Sequence, residues 1–168
     1  MPATKQDVLN SALQLEKDGR AFYLEAAGRA TSDVVKKVLE SLAEDELRHI
    51  AWIEKSYPEA RSAEAANREF YQRLSGLFAD VAEEEKDRAA ASDDDLKALD
   101  YALDIEYKAS AAYNAWEDDA VDGEVKDLCH VLAGVERFHA QLIQNTIEYL
   151  KSPGDWFMQE ERWFFEGG

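Results

Sequence analysis

The sequence predicts an all-α fold: an antiparallel four-helix bundle made of two helix pairs joined by a long crossover. Three observations carry that expectation. Glycine (8) and proline (3) are scarce in 168 residues, so little interrupts a helix. Apolar residues recur at helical spacing in four long segments. The second half of the chain also repeats the first. The length suits one domain with a sizeable core.

The first helix is expected from Lys5 to about Gly28, with Leu9, Ala12, Leu13, Leu15, Phe22 and Tyr23 on its apolar positions. Thr31, Ser32 and Asp33 can cap the second. Its stripe is Val35, Val38, Leu39, Leu42, Ile50 and Ile53, and Pro58 stops it just after Tyr57. A crossover at 58–92 carries one amphipathic piece, with Phe70, Leu74, Leu77, Phe78 and Val81 in register. Ser92 and the run Asp93, Asp94, Asp95 form an acidic start for the third helix, favoured by the positive end of the helix dipole. That helix reaches about Glu117, and Asp122-Gly123 marks a turn. The fourth runs from Glu124 to Lys151, where Ser152-Pro153-Gly154 ends it. The expected organisation is a bundle at 1–151, with helix pairs 5–57 and 93–151, and a tail at 152–168. The tail is rich in aromatics (Trp156, Phe157, Trp163, Phe164, Phe165) and is expected to pack on the bundle or on a partner subunit.

The repeat is the most informative feature. ALQLEKDGRAFY, from Ala12, aligns with ALDIEYKASAAY, from Ala102, with identities at Ala12/Ala102, Leu13/Leu103, Glu16/Glu106, Ala21/Ala111 and Tyr23/Tyr113. LAEDELRHIAWI, from Leu42, aligns with LAGVERFHAQLI, from Leu132, and shares Leu, Ala, Glu, His and the final Ile. Both matches fall at one offset (16 to 106, 46 to 136), and each preserves a histidine when the chain has only 3. Each half therefore supplies one Glu on its first helix and a Glu-x-x-His on its second: Glu16 with Glu46 and His49, and Glu106 with Glu136 and His139. Residues three apart share a helix face. All six positions lie among apolar neighbours, where carboxylates cost several kcal/mol each unless compensated (about that order). Two divalent cations balance four carboxylates with two neutral imidazoles. Carboxylate and imidazole donors suit iron or manganese, whereas structural zinc more often takes thiolates.

One Glu-x-x-His on a helix is commonplace on protein surfaces. Two, each following a Glu in an apolar stripe at the same separation, make a metal site the better reading. His130 precedes Glu136 on a different helix face and is not expected to bind. Tyr23 and Tyr113 follow Glu16 and Glu106 along the same face, and are read as hydrogen-bonding to a carboxylate of the opposite helix pair. Cys129, the one cysteine, is read as a small buried residue and allows no intrachain disulfide.

The net charge of −17 argues against nucleic acid and anionic membranes as partners, and for cations. No segment approaches the ~18 apolar residues of a membrane span. The start of the chain lacks the basic-then-apolar character of an export signal, so a cytoplasmic location is expected.

The segments ALQLEKDGRAFYLEAA, LAEDELRH and VERFH resemble the rubrerythrin branch of the ferritin-like superfamily, over about Lys5 to Leu150. Glu plus Glu-x-x-His from each half is the ligand pattern of that superfamily. The resemblance implies a ferritin-like bundle and two iron ions held by Glu16, Glu46, His49, Glu106, Glu136 and His139. It also implies a diferrous centre oxidised by hydrogen peroxide or dioxygen, and a homodimer. Rubrerythrins usually add a four-cysteine rubredoxin domain; with one cysteine this chain needs an external electron donor, such as a separate redox protein. They also carry a further glutamate one turn after the third-helix ligand, where this chain has Ala109. The symmetrical six-residue set therefore resembles a bacterioferritin-type ferroxidase centre. The alternative is an iron-binding or iron-buffering protein without turnover.

Overall fold

A computed structural model of the protein describes residues 4–55 and 91–152. Four helices make up these residues: α1 (Lys5–Arg29), α2 (Asp33–Glu54), α3 (Asp93–Asp119) and α4 (Gly123–Lys151). Short turns at 30–32 and 120–122 fold α1 against α2 and α3 against α4 as antiparallel pairs. The pairs meet through α1 on α3, α2 on α4 and α1 on α4, which is the bundle expected from the sequence. The expected stripe at Phe70–Val81, the stop at Pro58 and the aromatic tail from Trp156 lie outside the described residues. Helix α2 ends at Glu54, where the Lys55 N–H already turns back to the Ala51 and Ile53 carbonyls, a few residues before the proline.

Polar caps set the helix starts. Thr4 accepts from the Asp7 N–H while Asp7 accepts from the Thr4 N–H, a reciprocal box at the start of α1. Ser32 caps α2 through the Val35 N–H, and Asp122 caps α4 through the Val125 N–H. Gly123, expected within the turn, is the first residue of α4, since the Asp122 cap already directs the chain into the helix.

At the start of α3 the cap also ties the two pairs together. Asp95, 2% exposed, accepts from the Ser92 N–H and hydroxyl. It also accepts from the Thr31 N–H (3.0 Å) and hydroxyl (2.5 Å) on the α1–α2 turn. Burial alone would raise its pKa, but the bonds from Thr31 and Ser92 outweigh this and hold the carboxyl below its usual value of 3.8. A depressed folded-state pKa contributes stability that is present above the unfolded value and lost as pH falls through the folded one. Asp95→Ala is expected to cost about 2–4 kcal/mol, from one lost cap and the charge-assisted bonds to Thr31. Thermal or urea unfolding reads this, and an unchanged midpoint would refute the clamp.

The apolar core is split into two clusters along the bundle. One gathers Tyr23, Val35, Leu39, Leu42, Leu99 and Ile143. The other gathers Val8, Ile53, Tyr113, Leu128 and Leu132 around buried Cys129, whose thiol burial pushes up to about 11. Among the described residues no helix is long and apolar enough to cross a membrane.

Candidate metal centre

Between the two apolar clusters lies a polar layer. Glu16, Glu46, Glu106, Glu136, His49 and His139 are each at most 3% exposed, and they come from all four helices. The helical register brings them together: Glu46 with His49 on α2, and Glu136 with His139 on α4, are three apart and project from one face toward the other pair. The six expected residues therefore converge. Ligand-type atoms of Glu16, Glu46, His49 and Glu136 lie within 4.8 Å of one another, and so do those of Glu46, Glu106, Glu136 and His139. The two groups share Glu46 and Glu136. Two groups that could each hold a cation thus overlap, sharing one carboxylate from α2 and another from α4.

Distances within the layer are short. His49 Nδ1 is 3.0 Å from Glu16 Oε2, 3.2 Å from Glu46 Oε2 and 3.3 Å from Glu136 Oε1. His139 Nδ1 is 3.2 Å from Glu136 Oε2 and 3.6 Å from Glu106 Oε1. The two imidazoles are nearly parallel, with ring centroids 5.5 Å apart. His130 is on the surface beside Glu117, away from the layer, as its helix face requires.

The protein's own donors do not satisfy this arrangement. Glu106 Oε2 and both Glu136 oxygens are buried without a well-directed hydrogen bond among the described residues. Such atoms are expensive to bury, and cations coordinated in the layer would complete them. The electrostatics agree. Burial, then Glu16 and Glu136, push Glu46 well above the usual carboxylate range. Burial and Glu136 raise Glu106 to about 8. Burial lowers the affinity of His139 for a proton, yet Glu106 and Glu136 overcome it and hold its pKa at about 10. His49 is raised likewise against burial, by Glu16 and Glu136. Burial also works against Glu136 ionising, but the two histidines flanking it keep it low. The layer thus draws protons in as substitutes for positive charge, and its donors fit a pair of divalent cations.

The tyrosines cross between the halves. Tyr23 donates to Glu106 Oε1 at 2.5 Å, and Tyr113 donates to Glu16. Burial and the nearby carboxylates raise both phenols well above their usual value, so they remain donors at ordinary pH. Each fixes one carboxylate and leaves its other oxygen for the centre. Gly19 and Ala109, repeat counterparts one turn after Glu16 and Glu106, are buried and offer no ligand atom. A Cβ on Gly19 would come within 3.8 Å of the Glu46 carboxylate, an ordinary contact.

One contributor was not legible as part of the site. Asp45, 2% exposed, lies 3.2 Å through Oδ2 from His139 Nε2, the nitrogen that faces away from the carboxylates. Arg48 pairs with its other oxygen. The available signal was its spacing, three after Leu42 and four before His49, which puts an acid on the inward face of α2.

Residues 7–65 match the family model for rubrerythrin, a stretch that includes Glu16, Glu46 and His49. No curated protein and no solved structure matches the chain significantly. The 168 residues contain a single cysteine and so encode no four-cysteine rubredoxin-type knuckle. Over residues 7–65 the chain is similar to rubrerythrin, and it forms a four-helix bundle with overlapping buried clusters of carboxylates and histidines.

Proposed function

We propose that the protein is a di-iron carboxylate oxidoreductase whose reduced centre is oxidised by hydrogen peroxide or dioxygen. Glu16 and His49 would help hold one iron and Glu106 and His139 the other, with Glu46 and Glu136 common to both groups. The observation that carries this reading is the pair of overlapping buried clusters sharing two carboxylates. A site for one ion needs no shared ligands, and a structural salt-bridge network would not leave Glu136 oxygens without directed hydrogen bonds. When bound there, a ferrous pair would supply two electrons together for reduction of an O–O bond.

The chain's own part is to hold and orient. Tyr23 and Tyr113 lock the terminal carboxylates, the helix pairs fix the spacing of the bridging ones, and the two apolar clusters keep bulk water out. The electrons that return the centre to its reduced state would come from outside these 168 residues, for example from a separate redox protein. Manganese fits the same donor set. A homodimer is the assembly we expect.

The test is to add ferrous iron anaerobically to metal-free protein and then introduce peroxide in a stopped-flow instrument. The expected result is two irons bound per chain, oxidised faster than iron in buffer, with an oxo-bridged diferric absorption band. Binding without faster oxidation would instead identify an iron buffer. A folded protein that takes up no metal would refute a metal centre altogether.

A further inference from the structure

The internal repeat allows the surroundings of the two histidines to be compared position by position. Asp45 and Arg48 on α2 have Val135 and Phe138 as their counterparts on α4, at the same offset that relates Glu46 to Glu136. His139 therefore has a carboxylate behind it: its Nε2 is 3.2 Å from Asp45, and Arg48 compensates the charge of that buried acid. His49 has no such support. All its polar contacts run through Nδ1, and among the described residues no carboxylate reaches its far nitrogen. Buried Val135 and Phe138 occupy the counterpart positions, and the Trp52 ring lies 5.3 Å from the imidazole. Two ligand sets identical in residue type thus differ in what stands behind them.

We infer that the two metal positions are unequal: Asp45 makes the Glu106–His139 position the tight one, filled first, and leaves the Glu16–His49 position weaker and exchangeable. The inference rests on the metal-centre reading above. A carboxylate that accepts the Nε2 proton fixes the tautomer with the Nδ1 lone pair toward Glu106 and Glu136. It also holds the ring in place and makes the imidazole a better donor. His49 must instead settle its tautomer and ring orientation as the ion binds. Removing such partners from metal-ligating histidines typically costs about 10–100-fold in affinity, and a difference of that size is expected between the two positions.

The probe is ferrous iron, titrated anaerobically into the folded, metal-free full-length chain and followed by calorimetry. The wild type should bind in two steps separated by about 10–100-fold. His139→Ala should remove the tighter step and His49→Ala the weaker. The nearly isosteric Asp45→Asn should weaken the tighter step toward the other while circular dichroism shows an intact bundle. If Asp45→Asn perturbs folding, the two-step wild-type isotherm and the contrast between the histidine variants still decide the matter. Two equal steps in the wild type, or an Asp45→Asn loss confined to the weaker step, would overturn the inequality and leave the metal centre standing. No uptake by the folded wild type would remove both.

Discussion

Replacing Glu46 and Glu136 together by glutamine is expected to raise the melting temperature of the metal-free protein and to abolish metal binding. The two effects have one cause. In the absence of cations, four carboxylates and two histidines share a layer with at most 3% exposure. Two like charges at ~4 Å repel by about 4 kcal/mol at an effective dielectric near 20. The layer relieves part of this by taking up protons, which is why Glu46, Glu106, His49 and His139 are all displaced upward. Glutamine keeps the shape of the bridging side chains and removes their charge. The imidazoles then have less reason to be charged, and burial favours their neutral form. What is lost is the attraction between Glu136 and the two histidines. What is gained is release from a larger set of buried ionised groups. Replacing such sets by neutral groups of similar shape is neutral or stabilising by about 1–4 kcal/mol. For a chain of this size that corresponds to a rise of roughly 2–15 °C. Differential scanning calorimetry of both metal-free proteins, with iron analysis of each after loading, checks the pair of effects. A metal-free variant that melts below its metal-free parent would show that the carboxylates do not crowd one another.

The same symmetry explains what the sequence disclosed and what it concealed. Glu16, Glu46 and His49 stood out because a second copy follows at Glu106, Glu136 and His139, and a surface Glu-x-x-His has no reason to recur in register. Tyr23 and Tyr113 were legible for the same reason. Their hydrogen bonds to Glu106 and Glu16 cross between helix pairs, as expected when the repeats face each other. Asp45 was hidden because its counterpart is Val135: a search for repeated chemistry passes over a residue that occurs once. Its role appears only when α2 and α4 are placed together. The Asp95 clamp was half visible. Its position after Ser92 announced a cap, but nothing local connected it with Thr31, which lies on the turn of the other helix pair.

Metal-free protein is expected to lose stability steadily between about pH 5 and pH 10, and bound metal should flatten that dependence. The sign follows from which state holds more protons. Glu106 has a usual value of 4.5 and rises to about 8 on folding, so between those limits the folded protein binds a proton that the unfolded chain has released. Each rise in pH across that window therefore favours unfolding. His139 acts in the same sense at higher pH. Its shift from 6.5 to about 10 contributes stability that is complete below 6.5 and lost as pH approaches 10. Glu46 and His49, both displaced upward, add to the trend. Glu136 is displaced downward, so its contribution changes only below 4.5 and cannot cancel the others. A shift of several units on a buried group corresponds to several kcal/mol, on the order of 10 °C in melting temperature across the range. Cations bound by all four carboxylates displace those protons, so the loaded protein no longer releases them as pH rises. Melting curves at pH 6 and pH 9, with and without ferrous iron under anaerobic conditions, should therefore diverge most at the alkaline end. Equal slopes for the two forms would mean that the groups which titrate on unfolding are not the ones that hold the metal, and would place the ion elsewhere in the chain.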